Sequence, residues 1–308
     1  MPSRPDKLLL LDAASVYFRA FFGVPETITA PDGTPVNAVR GLLDVIARLL
    51  TDRSPTRLAA CMDEEWRPAF RVEAIPSYKA HRLGPDGVLE IVPPGLVVQV
   101  PIIEQVLDAI GLASVGVPGF EADDVIGTIA AHAKIPVEVV TGDRDLFQVV
   151  DDAREVRVLY TKRGIRQLEV VTEAVVNVKY GIPGRAYADF AALRGDPSDG
   201  LPGVAGIGEK SAATLISRFG SLEGLLAAVD DPTSDLAPGI RAKLAAARDY
   251  LTVAPFVVKV QTDLPLPPYD DTIPTSPADP EALVELADKY ALDGPVNRVL
   301  TALARQAE

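Results

Sequence analysis

The chain has one cysteine and two histidines among 308 residues. The lone Cys61 excludes an internal disulfide and suits a reducing, cytoplasmic setting. It falls inside an apolar run, where a small core residue fits. His81 and His132 are too few for a histidine-rich zinc site. No apolar stretch reaches membrane-spanning length without charge, and the four leucines after Met1–Lys7 are too short for a leader or anchor. There is no repeat and no low-complexity tract. Positive charge is also scarce: 30 Lys and Arg against 43 Asp and Glu leave a net charge of −13. That total speaks against a nucleic-acid partner only if the charges are evenly spread, because placement matters more than the sum.

What the chain does have is aspartate at the ends of apolar runs. Leu8–Leu11 runs into Asp12, Leu58–Met62 into Asp63, and Val137–Gly142 into Asp143, with Asp145 two residues on. Short apolar runs between helical segments read as buried strands of a parallel sheet. Ligand sites of open α/β sheets lie beyond the carboxyl ends of the strands, so these aspartates are expected to converge. Glu121, Asp123 and Asp124 open a helical segment. One acid there complements the helix dipole, but three exceed that need. Asp196 and Asp199 lie in Gly195-Asp-Pro-Ser-Asp-Gly200, which by itself reads as a plain loop. Carboxylates packed together repel by about 4 kcal/mol per pair at about 4 Å and an effective dielectric of about 20. The cluster must therefore be protonated or neutralised by metal, and hard oxygen ligands select Mg²⁺ or Mn²⁺. The nine acids suit a two-metal site with ions about 4 Å apart.

Residues 8–160 alternate strand-like and helix-like segments, the helical ones at Ala38–Leu50, Pro101–Ile110 and Glu121–Ala133. This βαβ alternation predicts a mostly parallel central sheet flanked by helices, an α/β fold. Glu155–Tyr160 and Gln167–Val171 flank Lys162-Arg163-Gly164 and predict an edge hairpin. From Thr172, a helix cap, the pattern becomes helical, with single helices expected at Ser211–Phe219 and Ile240–Leu251. Thr262–Pro280 reads as extended, and two short helices finish the chain. The division expected is an α/β core over 1–172 and a helical region over 173–308. Residues 76–101, with five prolines and three glycines, interrupt the alternation as a functional or mobile insertion.

A local positive patch follows Asp63. Trp66, Arg67, Phe70, Arg71, Tyr78, Lys79 and Arg82 place four cations and three aromatics in a short stretch. Alone it reads equally well as a solvated face; beside the acids it favours phosphate contact. Lys79 and Arg82 lie one helical turn apart, so both are expected to face one phosphate, and Tyr78 to stack on a base. Gly203, Gly206 and Gly208, followed by Lys210 and Ser211, form a turn entering a helix, whose amides suit a DNA phosphate. The turn follows no strand, which argues against a dinucleotide fold.

Taken in order, these motifs resemble the bacterial 5′-nuclease family, which includes flap endonucleases and the 5′→3′ exonuclease domain of DNA polymerase I. The resemblance covers about residues 7–265. It is carried by Leu-Leu-Leu-Leu-Asp12, Met-Asp63, Ser77–Arg82, Gly119–Asp124, Thr141–Asp145, Gly195–Asp199 and the Gly203–Lys210 turn. It implies a PIN-like fold with a helical arch over 76–101 and a helix-hairpin-helix region with its turn at 201–219. It also implies that Asp12, Asp63, Glu121 and Asp123 lie nearer one ion, that Asp143, Asp145 and Asp199 lie nearer the other, and that Asp124 and Asp196 act through water. Lys79 and Arg82 would touch the scissile phosphate with Arg71 in support, Arg67 and the turn would contact DNA, and the Val204 and Ile207 carbonyls would hold K⁺. The implied partners are branched or 5′-ended DNA, with DNA polymerase I or ligase, for a monomer associated with the nucleoid. No polymerase segment follows, so a stand-alone nuclease is expected. Gly200 stands where the family pattern has asparagine. Rival readings are weaker. A haloacid-dehalogenase-type phosphatase needs an acid two residues after Asp12, where Ala14 stands. A silent DNA binder has no use for so many acids, and the turn favours duplex DNA over an RNA-cutting relative.

Overall fold

The computed structural model describes residues 5–85, 87 and 90–306. Six strands form one sheet in the order β3-β2-β1-β4-β5-β6. They are β1 Leu8–Asp12, β2 Arg57–Cys61, β3 Ala113–Val115, β4 Val137–Thr141, β5 Val156–Tyr160 and β6 Glu169–Val171. All neighbours are parallel except β5 and β6, which form the expected edge hairpin. The chain runs outward from β1 through β2 to β3, then returns to the other side of β1 for β4. That reversal is the topological switch point, where the strand ends open a crevice.

Helices cover both faces. Alternation along β1 sends Leu9 and Leu11 to one face and Leu8 and Leu10 to the other, all buried. The first pair packs with α1 Ala13–Gly23, α2 Asn37–Arg53 and a later helix pair at the chain's end. The connection from β2 to β3 holds α3 Ala69–Ala74, α4 Pro94–Val97 and α5 Val100–Ile110. The second face takes α6 Ala122–His132 and, from the helical half, α7 Glu173–Tyr180 and α8 Tyr187–Arg194. Burying each leucine stabilises the sheet by about 1.5–3 kcal/mol, which explains why strands buried on both faces read as unbroken apolar runs. Cys61 ends β2 fully buried, and burial pushes its thiol well above its usual range.

Beyond α8 come α9 Glu209–Phe219, α10 Leu222–Asp230, α11 Pro238–Ala246, α12 Arg248–Val258, α13 Pro280–Tyr290 and α14 Asp293–Gln306. Thr172 caps α7, its hydroxyl accepting the Val175 N–H at 3.3 Å. Among the described residues no single helix is long and apolar enough to cross a membrane.

Three expectations are corrected. The helix expected over Ile240–Leu251 is two helices, because ψ opens to 13° at Ala247; the turn lets Leu251 and Ala254 bury on their own. Strand β3 escaped notice because three residues with only Val115 buried make no apolar run. Among the described residues of 76–101 the expected arch is not a continuous helix. Its described residues hold only a single turn at Ala80–Arg82, the short α4 and the start of α5. Pro85, Pro93 and Pro94 lack the N–H a continuous helix needs; Asp86, Val88 and Leu89 lie outside the described residues.

Candidate metal centre and phosphate cleft

The ends of β1, β2 and β4 open into one cleft of about 350 Å³. Asp12, Asp63, Glu121, Asp123, Asp143 and Asp196 line it, together with Lys79 and Arg82. Asp12 is the last residue of β1 and the cap of α1. Its Oδ1 accepts the Ser15 N–H at 3.0 Å and its Oδ2 the Thr141 hydroxyl at 2.6 Å. Burial, with Asp63 and Asp143 nearby, pushes its carboxyl up to about 7 against those hydrogen bonds. Asp63 Oδ1 accepts the Ala122 N–H at 2.7 Å, which joins the β2 end to the start of α6. Burial raises Asp63, Asp123, Asp145 and Asp199 as well, and in each case a neighbouring carboxylate adds to it. Around Asp143, the Thr141 hydroxyl accepts the Asp143 N–H at 2.9 Å and Asp143 Oδ1 accepts the Asp145 N–H at 2.8 Å.

The cations come from the loop after α3. Lys79 pairs with Glu121 Oε1, and Arg82 reaches Asp199 Oδ1 at 3.0 Å and the Ser198 carbonyl at 2.9 Å. Burial works against the Lys79 charge, yet Glu121 holds the ammonium well above its usual range. Lys79 also adopts φ 48°, a left-handed conformation that a residue with a side chain rarely takes. Beneath them Arg71, 2% exposed, pairs with Glu121 and forms two 2.7 Å bonds to Asp124.

Several expected residues stand elsewhere than the motif suggested. Asp124 is fully buried: Arg71 and the Gln261 N–H, at 2.9 Å, take its oxygens, so it braces Arg71 and does not face the cleft. Tyr78 is 4% exposed, and its hydroxyl donates to Glu121 Oε2 at 2.8 Å. It therefore orients a carboxylate and offers no face to a base. Arg67 donates to the Tyr78 and Pro76 carbonyls at 2.6 and 2.8 Å, so it ties down its own loop. Asp145 and Asp199 are not among the residues that line the cleft. Ser15, Phe18, Trp66, Glu90, Arg144 and Ser198 also line it, with Ala14 and Gly142; Ser15 and Thr141 act as hydroxyl partners that no charge pattern marks.

Gly203 has φ 64°, and a Cβ there would meet the Arg194 carbonyl oxygen at 2.5 Å, so only glycine fits. Val204 and Ile207 bury their side chains, and the Val204 carbonyl accepts the Ile207 N–H at 2.9 Å. The Gly206 carbonyl accepts from a different cation, Lys243 Nζ, at 2.9 Å. Gly208 caps α9, and Lys210 and Ser211 are exposed in its first turn, where helical N–H groups have no partner inside the helix.

Among the described residues no three Asp, Glu, His or Cys side chains are already closed into a metal-holding group. Four of the carboxylates are paired with cations: Glu121 with Lys79 and Arg71, Asp124 with Arg71, Asp199 with Arg82 and Asp196 with Arg194. The donor set nevertheless fits a hard divalent ion. It is all oxygen, burial makes its charge costly, and Asp145 Oδ1 is buried without a hydrogen-bond partner.

Residues 7–181 match the family model described as 5′-3′ exonuclease, N-terminal resolvase-like domain, and residues 182–281 match 5′-3′ exonuclease, C-terminal SAM fold. A 5′-3′ exonuclease of Streptomyces coelicolor is 59% identical, over 96% of this chain and 99% of its own length. A DNA polymerase I of Mycobacterium bovis is 40% identical over 91% of this chain, which spans 30% of that polymerase. Among solved structures, the T5 D15 protein co-crystallised with metal ions superposes with a TM-score of 0.61 at 17% identity, covering 98% of this chain and 100% of its own. The catalytic core of Rad2 in complex with DNA substrate gives 0.60 at 17% identity, covering 99% and 95%. At such identities these two likenesses establish the shared fold.

Proposed function

Since the chain belongs to the 5′-3′ exonuclease family, we propose that it is a structure-specific 5′ nuclease, hydrolysing DNA phosphodiesters at 5′ flaps and 5′ ends during primer removal and repair. The observation that carries this reading is the cleft itself: acids from the ends of β1, β2 and β4 share a cleft of about 350 Å³ with Lys79 and Arg82. Asp12, Asp63, Glu121 and Asp123 would hold one Mg²⁺ or Mn²⁺ ion, and Asp143, Asp145 and Asp199 a second, with Asp196 acting through water. Divalent ions there supply positive charge that acidifies a water and stabilises the reacting phosphate.

The protein's own part is positioning. Lys79 and Arg82 would bind the scissile phosphate, and Glu121 and Asp199, which they now pair with, would hold divalent ions instead. Arg71 and Tyr78 hold Glu121 in place. The Gly203–Ser211 turn grips duplex backbone through amides, without reading sequence, and K⁺ held by the Val204 and Ile207 carbonyls would add to that grip. Residues 1–172 act as the nuclease core and 173–308 as the DNA-binding region. Working partners are branched or 5′-ended DNA and, by the chemistry of primer removal, a DNA polymerase I or a ligase acting on the products beside the nucleoid.

The test is cleavage of a 5′-labelled flap duplex with Mg²⁺, Mn²⁺ or EDTA, beside matched single-stranded DNA and RNA. Metal-dependent cutting at the flap junction is expected. Tight flap binding without cleavage under any metal would favour a silent branched-DNA binder.

A further inference from the structure

Helix α8 carries Tyr187 as its first residue and Arg194 as its last. Seven positions apart, they lie two turns apart on one face. That face meets the start of the turn that carries Asp145. The Tyr187 hydroxyl faces the Arg194 guanidinium and lies within electrostatic reach of Asp145, and Asp145 in turn is stabilised by Arg194. Each of the three has one buried polar atom without a hydrogen-bond partner: Asp145 Oδ1, the Tyr187 hydroxyl and Arg194 Nη1.

Tyr187 and Arg194 are not free to turn away. The Tyr187 ring packs edge-on to Phe147 and Tyr180 and tilts against Phe190, with centroids 5.4–5.5 Å apart. Arg194 lies over Phe190 at 5.1 Å, donates Nη2 to Asp196 Oδ2 at 3.1 Å and donates Nε to the Gly195 carbonyl at 3.0 Å. Buried polar groups in a native protein are satisfied. Two donors and one carboxylate oxygen, all buried and carried on elements packed together, are the partners that a single buried water bridges.

We propose that Tyr187 and Arg194 are positioning residues which, through such a bridge, hold the inner oxygen of Asp145 and aim its outer oxygen toward the cleft. The Asp145 N–H also donates to Asp143 Oδ1 at 2.8 Å, so fixing Asp145 fixes Asp143 as well. Because Arg194 binds Asp196 with its other arm, one guanidinium organises both ends of this acidic group. The inference rests on the divalent-ion reading above. Outer partners of ligating carboxylates typically set metal affinity by about 10–100-fold.

The experiment is Mn²⁺ binding to the full chain without DNA, followed by electron paramagnetic resonance. Tyr187→Phe keeps the ring packing and removes only the hydroxyl; it should weaken one class of bound Mn²⁺ by about tenfold and leave the other class unchanged. Single-turnover cleavage of Tyr187→Phe should then recover at saturating Mn²⁺. Arg194→Lys keeps the charge but loses the forked donor and should weaken the same class. Tyr180→Phe, which removes a neighbouring hydroxyl of the same ring cluster, should bind like wild type. Superimposable isotherms for Tyr187→Phe and wild type would overturn the proposal, as would an equal shift from Tyr180→Phe. Wild type that binds no Mn²⁺ would overturn both this inference and the divalent-ion reading, whereas wild type that binds two classes leaves that reading standing whatever the variants do.

Discussion

The Lys79 backbone N–H donates to the Asp199 carbonyl oxygen at 2.9 Å. One bond thus links the cationic loop after α3 to the acidic loop after α8, more than a hundred residues later in the chain. The Ser77 hydroxyl reinforces it by donating to the Gly200 carbonyl at 2.9 Å. At Gly200, φ is 70° and a Cβ would meet the Ser77 carbonyl oxygen at 2.2 Å. The closeness of these two loops accounts for glycine at a position where the family pattern has asparagine.

Lys79→Ala should slow single-turnover flap cleavage by about 100-fold, the usual effect of losing one preorganised charge at a reacting phosphate. Duplex affinity should change little, because the Gly203–Ser211 turn is untouched. An unchanged single-turnover rate would remove Lys79 from the chemistry.

Asp143→Asn keeps the shape of the side chain and removes its charge. Cleavage should fall by at least about 100-fold, while flap binding measured by fluorescence anisotropy persists. Cleavage equal to wild type would remove Asp143 from the ion-binding set.

Arg71→Met should destabilise the fold by about 3–5 kcal/mol, because it leaves the buried Asp124 carboxylate without its cation. Urea unfolding measures this. The double variant Arg71→Met with Asp124→Leu should recover most of the loss, since replacing both partners avoids the unpaired charge.

The Asp12 carboxyl, raised from 3.8 to about 7, makes a signed prediction. Between those two pH values the folded state holds a proton that the unfolded state has released. Stability of the ion-free protein should therefore fall as pH rises through this window and level off above it. Asp12→Asn should remove that part of the slope. Saturating Mg²⁺ should flatten it in wild type by displacing the proton. Thermal denaturation across the range, with and without Mg²⁺, reads all three, and an identical slope in Asp12→Asn would refute the assignment.

The parts of the site that sequence made legible are those fixed by strand ends. Asp12, Asp63 and Asp143 each follow an apolar run, and parallel packing leaves their convergence little choice. What escaped depends on contacts made across the chain. Tyr78 stands next to Lys79 in a basic, aromatic stretch, and nothing local says that it turns inward to Glu121. Asp124 shares its short motif with Glu121 and Asp123, yet helical spacing rotates it onto Arg71. Arg67 reads as a surface cation until the Pro76 and Tyr78 carbonyls are seen beside it. The non-helical arch was visible in its prolines, but the family pattern pointed the other way.

The burial of Cys61 has a practical side. A fully enclosed thiol whose ionisation is suppressed is expected to resist maleimide dyes on the time scale of labelling. A cysteine introduced at exposed Ile91 and another at Ser211 would thus be the sole sites of attachment in the otherwise native chain. Donor and acceptor fluorophores there would report, molecule by molecule, the distance between the loop that carries Ile91 and the Gly203–Ser211 turn as DNA is added.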